Sequence, residues 1–567
     1  MLALGAAVPC HSHQPKQLGK PVPQTSLTPP SRGTLRIGMR GLISLVAVFA
    51  LGAVLRLPAF SRSLLSDDEA IYAATADALR RGDLLYRDVV DHKPPLIYHT
   101  YQAGFWALGP YNTHGAHALV LFAVLLTAAL LGAMKWREGH APALGEGLAA
   151  AGLFLVFSTT WHDYDALAAN CELFLLAFQT AAACLVLRSL RRPGTGVRAV
   201  GIHLAIGSLI GISALFKYQS LTFLGASLGM LIWSLPGGRP GWARAATAAV
   251  FQIVGALLPP ALYLAWCAHA GNAADAVSWF KFNSSYIGAG LTGMAALARG
   301  SRRLVLIGGV ALVPYALGLW FAITTATGCV RVVRARRWAT PSDADRPSPS
   351  AVLGLLWLCT SAIAVATGGR FFGHYFHLIL APLCLLAASR FVGLWNKARA
   401  LRAILVALCA LPALAFFALA TFARPFAAAL DESEPPFAQV SARIAASTTP
   451  EERVFVWGNA PQLYVLARRA MGARFSFCNY MTGASPGTPT ETGQGDTDAN
   501  QVPWTWDMLF ADLDQRRPAL LVDAAAAGWN GYGKFQISRY PRLQSYVDRY
   551  YRPLVTEAGV VLYRRRP

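Results

Sequence analysis

Eleven stretches of mostly apolar residues, each close to the length that crosses a bilayer, constrain the fold of this chain most strongly. A transmembrane helix needs about 20 consecutive apolar residues. In lipid, the backbone must satisfy its own hydrogen bonds, which favours helices. The sequence therefore predicts a polytopic α-helical membrane protein with about 11 transmembrane helices, at 41–58, 115–134, 143–159, 170–187, 199–215, 220–235, 246–266, 303–328, 351–368, 374–389 and 402–423.

The charge pattern supports this class of protein and argues against a nucleic-acid partner. Only 14% of the 567 residues are charged, against about 25% in soluble domains. The net charge of +21 comes from basic clusters that follow alternate predicted spans, as the positive-inside rule expects of cytoplasmic loops. With a cytoplasmic N-terminus and an odd number of spans, loop 59–113 and the C-terminal region lie on the non-cytoplasmic side.

The composition divides the chain into three parts. Residues 1–40 are polar, proline-rich and basic, and they are either a cytoplasmic tail or sequence upstream of a start at Met39. Residues 41–423 form the transmembrane domain. Beyond 424, after a linker at 431–436, β-like runs alternate with helical patterns, which predicts a small α/β domain over 424–567. We expect strands at 453–457, 519–523 and 560–563, helices near 460–468, 504–516 and 540–550, and a mobile loop at 482–502.

Loop 59–113 begins with three consecutive carboxylates, Asp67, Asp68 and Glu69. Ser66 and Glu69 have the spacing of a capping box, which predicts a helix over 70–81 that ends at Gly82. Acids also favour a helix N-terminus electrostatically. Because a cap uses one acid and adjacent like charges repel, we expect at least one of these carboxylates to be functional.

Lys93-Pro94-Pro95 is the second charged element of the same loop. Proline at the first helical position presets the backbone, and the free N–H groups of a helix start bind phosphate. Lys93 adds a full positive charge there. The alternative is an interfacial lysine whose stem packs on apolar surface.

Together these elements resemble the first outer loop of the GT-C glycosyltransferases, within which the aminoarabinose-transferase and protein-mannosyltransferase-like group is most similar. The resemblance spans most of 41–567. It is carried by Asp68-Glu69, 82–88 (GDLLYRD), 92–96 (HKPPL), 165–172 (DALAANCE), 370–376 (RFFGHYF) before Pro382, and 456–458 (VWG) with Pro461, Leu463 and Tyr464.

The resemblance implies an enzyme that transfers a sugar from a polyprenyl-phosphate donor to a hydroxyl of a glycolipid, glycan or protein acceptor. It also implies a multi-pass protein of the inner (plasma) membrane whose C-terminal domain is periplasmic. Such a transfer needs a base, and it needs cations for the leaving phosphate. We expect Asp68 to be the catalytic base or the carboxylate that positions the acceptor, with Glu69 and Asp67 as substitutes. We expect Lys93, Arg370 and Lys217 to bind the donor phosphate, and Asp165, Glu172, His374 and Tyr375 to bind substrate.

Several of these assignments have structural alternatives. Instead of binding sugar, Glu172 can form a structural ion pair with Lys217 or Arg370. His374 can be an interfacial histidine that forms hydrogen bonds to the backbone. Asp163 and Asp165 also fit a solvated loop. A divalent metal is left open, because no spacing among Asp67, Asp68, His92 and Glu172 requires one. His92 stands where some relatives carry a glutamate.

Two other classes of protein compete with the enzyme. A transporter or flippase of lipid-linked sugars is expected to carry ionisable or broken-helix sites near the bilayer midplane. An assembly protein would bind the lipid-linked sugar without turnover. Because the ionisable residues gather on one face of the membrane, the sequence favours the enzyme.

Overall fold

A computed structural model describes the chain at residues 38–136, 143–160, 166–192, 196–234, 239–288, 290–335, 346–422, 435–486, 488, 490 and 497–567. Within these ranges, the residues from Ser44 onward form one compact unit, separate from the few that precede them. All contacts discussed below lie inside that unit.

The part of the chain before residue 423 is built of helices. They are α1 (Met39–Leu55), α2 (Asp67–Arg80), α3 (Leu96–Leu108), α4 (His114–Trp136), α5 (Ala143–Phe157), α6 (Cys171–Arg191), α7 (Gly196–Ala214), α8 (Thr222–Trp233), α9 (Arg239–Ala270), α10 (Ala273–Gly288), α11 (Gly293–Val310), α12 (Leu312–Ala335), α13 (Pro349–Ala366), α14 (His377–Trp395) and α15 (Arg399–Phe422). Single 3-10 turns precede α8 at Tyr218–Leu221 and α14 at Gly373–Phe376.

The chain is a multi-pass membrane protein. Among the described residues, nine helices are long and apolar enough to cross a bilayer, and α5 contains a shorter apolar helix at Leu144–Phe157. With α8, these helices account for all eleven predicted spans. The bounds of one span were wrong. The apolar run predicted at 303–328 is interrupted at Ala311, so α11 ends at Val310 and the spanning helix begins at Leu312. Hydropathy missed this break because apolar residues continue across it.

Loop 59–113 contains the two short helices that position the site, α2 and α3. Ser66 caps α2, since its side-chain oxygen accepts a hydrogen bond from the backbone N–H of Glu69 at 3.3 Å. The helix starts at Asp67 rather than at residue 70, so all three acids lie in its first turn. It ends before Gly82, whose φ of +97° favours glycine. α3 begins directly after Pro94-Pro95.

The C-terminal segment is an α/β structure around a four-stranded sheet. The strands are β1 (Val454–Trp457), β2 (Leu520–Asp523), β3 (Tyr551–Glu557) and β4 (Val560–Arg565), in the order β1-β2-β4-β3. β1 and β2 are parallel, and the other two pairs are antiparallel. The helices are α16 (Pro435–Ala446), α17 (Gln462–Ala467), α18 (Asn479–Thr482), α19 (Trp504–Arg516) and α20 (Pro541–Tyr550).

The predicted strands and helices of this segment are present, and three further elements were missed: β3, α16 and the one-turn helix α18. β3 carries Pro553 and is mostly exposed, so it lacks the apolar alternation that marks a strand. α16 follows the predicted linker, whose residues 431–434 lie outside the described ranges. The predicted loop at 482–502 contains the end of α18 and a 3-10 turn at Asp498–Asn500.

The C-terminal segment packs directly on loop 59–113. The backbone N–H of Val90 donates to the carbonyl of Arg474 at 2.9 Å, which forms a short parallel bridge between the two segments. Arg516 donates to the carbonyl of Asp88 at 2.6 Å. α17 packs against α2. The acids at the start of α2 therefore lie beneath the C-terminal segment.

Candidate active site

An ion pair between Asp68 and Lys93 forms the centre of the site. The Lys93 Nζ atom lies 2.7 Å from the Asp68 Oδ1 atom. Tyr72, one turn along α2 from Asp68, donates its hydroxyl to Asp68 Oδ2 at 3.2 Å and accepts from Lys93 Nζ at 2.9 Å. The Asp68 side chain is 28% exposed and the Lys93 side chain 21%. The pair is therefore fixed by a tyrosine while it keeps access to solvent.

The Asp68 carboxylate is held in its ionised form. Burial acts to raise its pKa, but the positive charge of Lys93 and the proximity of His374 outweigh burial and lower it. His374 Nε2 lies 4.0 Å from Asp68 Oδ2. Its ring is stacked on Phe372 at an interplanar angle of 9°. Burial acts to lower the pKa of Lys93, but Asp68 raises it well above its ordinary value, so the lysine stays charged.

A second ion pair, between Glu172 and Lys217, lies beside the first. Lys217 Nζ donates to Glu172 Oε1, in the first turn of α6. The same ammonium lies 3.4 Å from the centre of the Tyr375 ring, within cation–π range. The two pairs are connected through a 3.6 Å contact between the Tyr72 hydroxyl and Cys171 Sγ. Of the two partners expected for Glu172, the structure shows Lys217.

Glu69 points away from this centre into the protein. Its carboxylate contacts His117 Nε2 at 3.1 Å and accepts from the backbone N–H groups of Ala169 at 2.6 Å and Leu65 at 2.8 Å. The capping box is thus incomplete, because Glu69 binds the N–H of Leu65 instead of that of Ser66. Burial acts to raise the pKa of Glu69, but His117 and the two N–H donors lower it. These contacts bind the Glu69 carboxylate to groups in the protein interior.

Asp67 faces the C-terminal segment. Its Oδ1 atom accepts from Gln462 Nε2, at the start of α17, and lies 3.4 Å from Asn530 Nδ2. Asn530 has a φ of +52° and also donates to the carbonyl of Asn459 at 2.8 Å. The three consecutive acids thus have three different partners: the C-terminal segment, the lysine, and the buried histidine.

The Arg370 side chain forms hydrogen bonds with the C-terminal segment. Its guanidinium donates to Ser485 Oγ at 3.0 Å and to the carbonyl of Pro486, and the residue is only 2% exposed. The backbone turns sharply around it, with positive φ at Gly368, Gly369 and Phe371. The structure thus places Arg370 between the transmembrane part and the C-terminal segment. Asp163 and Asp165, also expected near the site, lie outside the described residues.

Asp91 is a site residue that the sequence assignment missed. It is 1% exposed, and its Oδ1 atom accepts from the backbone N–H of His92 at 2.6 Å and lies 2.9 Å from His92 Nδ1. Tyr98 donates to Oδ2 at 2.7 Å, and Tyr480 of the C-terminal segment to Oδ1 at 3.4 Å. Asp91 therefore fixes the backbone just before Lys93. The sequence does contain one indication of Asp91: a carboxylate that follows Val89-Val90 and lies two residues before Lys93.

The carboxylates of the site are not arranged as metal ligands. Within the described ranges, no group of three or more His, Cys, Asp and Glu side chains is placed to hold a metal ion. The reason is visible in the contacts: Asp67, Asp68 and Glu172 each turn to a different amide or ammonium group. Among the described residues, these three carboxylates are therefore not grouped around one point where a metal ion could bind.

Similar solved structures share this architecture. ArnT from Cupriavidus metallidurans in the apo state superposes with a TM-score of 0.56 at 16% identity, over 92% of this chain and 97% of that one. ArnT bound to undecaprenyl phosphate gives 0.54 at 15% identity, with the same coverage. The Archaeoglobus fulgidus oligosaccharyltransferase gives a TM-score of 0.48 at 12% identity, over 92% of this chain and 73% of that one. No protein-family model and no curated protein sequence matches the chain.

The likeness to ArnT shows the fold. The chain has the GT-C fold, a helical membrane part with a small C-terminal α/β segment, as the sequence resemblance indicated. At identities of 15–16% the likeness shows the fold alone.

Proposed function

We propose that the protein is a membrane glycosyltransferase that moves a sugar from a polyprenyl-phosphate donor to an acceptor hydroxyl on a glycolipid, glycan or protein. The observation that carries this proposal is the Asp68–Lys93 pair, a partly exposed carboxylate and ammonium beside a second ammonium, Lys217. The carboxylate can accept a proton, and the two ammonium groups can bind a phosphate.

Asp68 acts as the base in this scheme. Its lowered pKa keeps it ionised at neutral pH. The acceptor oxygen attacks the anomeric carbon of the donor sugar and its proton passes to the Asp68 carboxylate. The bond between that carbon and the phosphate oxygen breaks, and the electron pair leaves with the polyprenyl phosphate. Glu69 does not serve as a substitute here, because its carboxylate is already bound to His117 and two N–H groups.

Lys93 and Lys217 stabilise the leaving phosphate. In the resting protein each ammonium neutralises a carboxylate, which limits the cost of holding charge in a poorly hydrated place. When the donor phosphate binds, it takes Lys93 as its partner and releases Asp68 toward the acceptor. Tyr72, which bonds to both groups, keeps them aligned during this exchange.

Release of polyprenyl phosphate by the purified full-length protein tests the proposal. With a polyprenyl-phosphate sugar and a mixture of envelope acceptors, wild-type protein should release the lipid phosphate, and Asp68→Asn should abolish release. Asp77→Asn, on the same helix and paired with Arg80 and Arg81, controls for loss of an acid. If Asp68→Asn and Lys93→Ala both leave turnover intact, the assignment of the site fails. Movement of the lipid-linked sugar without its cleavage would indicate a flippase.

We propose further that residues 424–567 form an extracytoplasmic domain of an inner-membrane protein, on the same side as loop 59–113. The support is the packing of these two segments on each other. A cysteine introduced at exposed Ser538 should react with a membrane-impermeant maleimide in intact cells, whereas one at exposed Arg198 should react only after lysis. The reverse pattern contradicts this topology.

A further inference from the structure

The C-terminal segment has a groove of about 530 Å³ that belongs to neither ion pair. It lies where the start of α19 meets the turn that leads into α20. The residues that matter for its chemistry are Asp498, Trp506, Asp507, Arg539, Tyr540 and Arg542. A volume of this size lies in the range of small-ligand sites, roughly 300–1,000 Å³.

Two aromatic rings form a rigid wall of the groove. Trp506 and Tyr540 are partly exposed, and their ring centres lie 5.2 Å apart. Both rings also rest on Trp457, at the end of β1, at 5.6 Å and 5.3 Å. Because Trp457 is fully buried, these contacts fix the two rings before any ligand arrives. Rigid aromatic faces offer contact area at a low cost in conformational entropy.

Polar groups surround the aromatic wall, and their charges balance. Asp507 pairs with Arg542 at 2.8 Å across the groove, and Asp498 accepts from the amide of Gln501 at 2.7 Å. Two carboxylates oppose two guanidinium groups, so the groove has no net charge to attract a phosphate or an acidic peptide. Carboxylates and guanidinium groups accept and donate in fixed planes, which suits a ligand with several hydroxyl groups.

We infer that this groove binds a neutral saccharide. The apolar C–H face of a sugar ring would lie on Trp506 and Tyr540, and its hydroxyl groups would bond to the Asp507–Arg542 pair and to Asp498. The inference concerns binding alone and does not depend on the proposed transfer reaction. If that reaction is correct, the groove offers an acceptor glycan a second contact on the segment that covers the start of α2.

Saturation-transfer NMR on the full-length protein tests this inference. The probes are the methyl glycosides of neutral hexoses and pentoses and the neutral disaccharides. The detergent must lack a sugar head group, because such a head group would compete. We expect at least one probe to receive saturation through its ring protons. Trp506→Ala should weaken that binding by about tenfold, the value of one aromatic contact, and Asp507→Asn should also weaken it.

Matched variants separate the groove from the candidate active site. Trp504→Ala removes an exposed tryptophan from the same helix whose ring lies on Trp279, and it should leave saccharide binding unchanged. Asp68→Asn should leave it unchanged as well. The inference is overturned if no neutral probe binds, or if binding is insensitive to both Trp506→Ala and Asp507→Asn. It is also overturned if glucose 1-phosphate binds through the groove while neutral sugars do not. Asp507 is 77% exposed at its side chain, so its variant tests the groove even if Trp506→Ala does not fold.

Discussion

Asp68 and Lys93, 25 residues apart in the sequence, form an ion pair of 2.7 Å at the centre of the candidate active site. Asp68 lies in the first turn of α2 and Lys93 lies shortly before α3, so the pair joins the starts of two helices. The sequence presents an acidic half and a basic half of a charged loop. The fold brings these halves into direct contact, so the resting site has compensated charge and a phosphate must compete for the lysine.

The pH dependence of turnover should report this pairing. Lys93 lowers the pKa of Asp68, so the base stays ionised as the pH falls and wild-type activity persists toward pH 4, near the ordinary pKa of an aspartate, about 3.9. In Lys93→Met the opposing charge is gone while burial remains. The pKa of Asp68 should rise, and the residual turnover should begin to fall at higher pH than in wild-type protein.

The measurement is the rate of polyprenyl phosphate release between about pH 4 and pH 8 at a donor concentration well below KM, where the rate reports the pKa of Asp68 in the free protein. The profile is compared with that of Lys93→Arg. Arginine keeps the charge, so its acid limb should stay near that of wild-type protein even if its absolute rate is lower. An unshifted acid limb in Lys93→Met would show that Asp68 is not the titrating base.

Glu69 should control stability rather than chemistry, in contrast to its neighbour. Glu69→Gln removes the buried negative charge that contacts His117 and accepts from two backbone N–H groups, and the loss of hydrogen bonds to a charged group typically costs roughly 3 kcal/mol. Thermal unfolding in detergent should occur at lower temperature, while turnover per folded molecule changes little. Asp68→Asn should lose turnover with a smaller drop in unfolding temperature, because its ion pair with Lys93 is partly exposed whereas Glu69 is fully buried. Equal losses of turnover in the two variants would contradict this division.

The Glu69 carboxylate should also make the stability of the protein depend on pH in the acid range. Because the folded-state pKa of Glu69 is lowered, its contribution to stability is present above its unfolded pKa, about 4.3, and is lost as the pH falls through the folded value. Wild-type protein should therefore lose stability below about pH 4.3 more steeply than Glu69→Gln. Parallel unfolding curves for the two proteins in that window would exclude the effect.

Most of the fold could be predicted from the pattern of apolar residues. Eleven predicted spans correspond to helices, because the length of an apolar run is a local property that packing in lipid does not override. The break at Ala311 was not predictable, since Leu304, Val310 and Leu312 on its two sides are all apolar. Strands β1, β2 and β4 were visible as apolar runs, whereas β3 was hidden by its exposed and charged residues.

The residue types gathered in the candidate site could be predicted, but most of their partners could not; the pairing of Glu172 with Lys217 is an exception, since it was one of two expected alternatives. Successive residues on a helix point about 100° apart, which explains why three neighbouring acids diverge, but the sequence does not state which surface each one meets. The contact of Arg370 with Ser485 spans 115 residues, and no local pattern encodes it. Asp91 was overlooked because its partners, His92, Tyr98 and Tyr480, become visible only in the folded chain.

A double variant of Glu172 and Lys217 can distinguish a structural role of this ion pair from a role of Lys217 in binding phosphate. Lys217→Met should destabilise the protein, because it leaves the buried Glu172 carboxylate uncompensated. Adding Glu172→Gln removes that charge and should recover much of the folding. If Lys217 binds the donor phosphate, turnover should stay low in the double variant despite the recovered stability. Recovery of both properties together would assign Lys217 a purely structural role.

The contact between Asn530 and Asp67 should couple the C-terminal segment to the start of α2. Asn530 has a φ of +52°, a conformation that glycine adopts readily and that β-branched residues avoid. Asn530→Gly keeps the backbone and removes the amide, so it should lower turnover by about fivefold, which corresponds to the roughly 1 kcal/mol of an ordinary hydrogen bond. Asn530→Val adds backbone strain and should lower both turnover and thermal stability. Hydrogen exchange of the first turn of α2 should increase in both variants, and unchanged exchange in Asn530→Gly would show that the contact does not hold the two segments together.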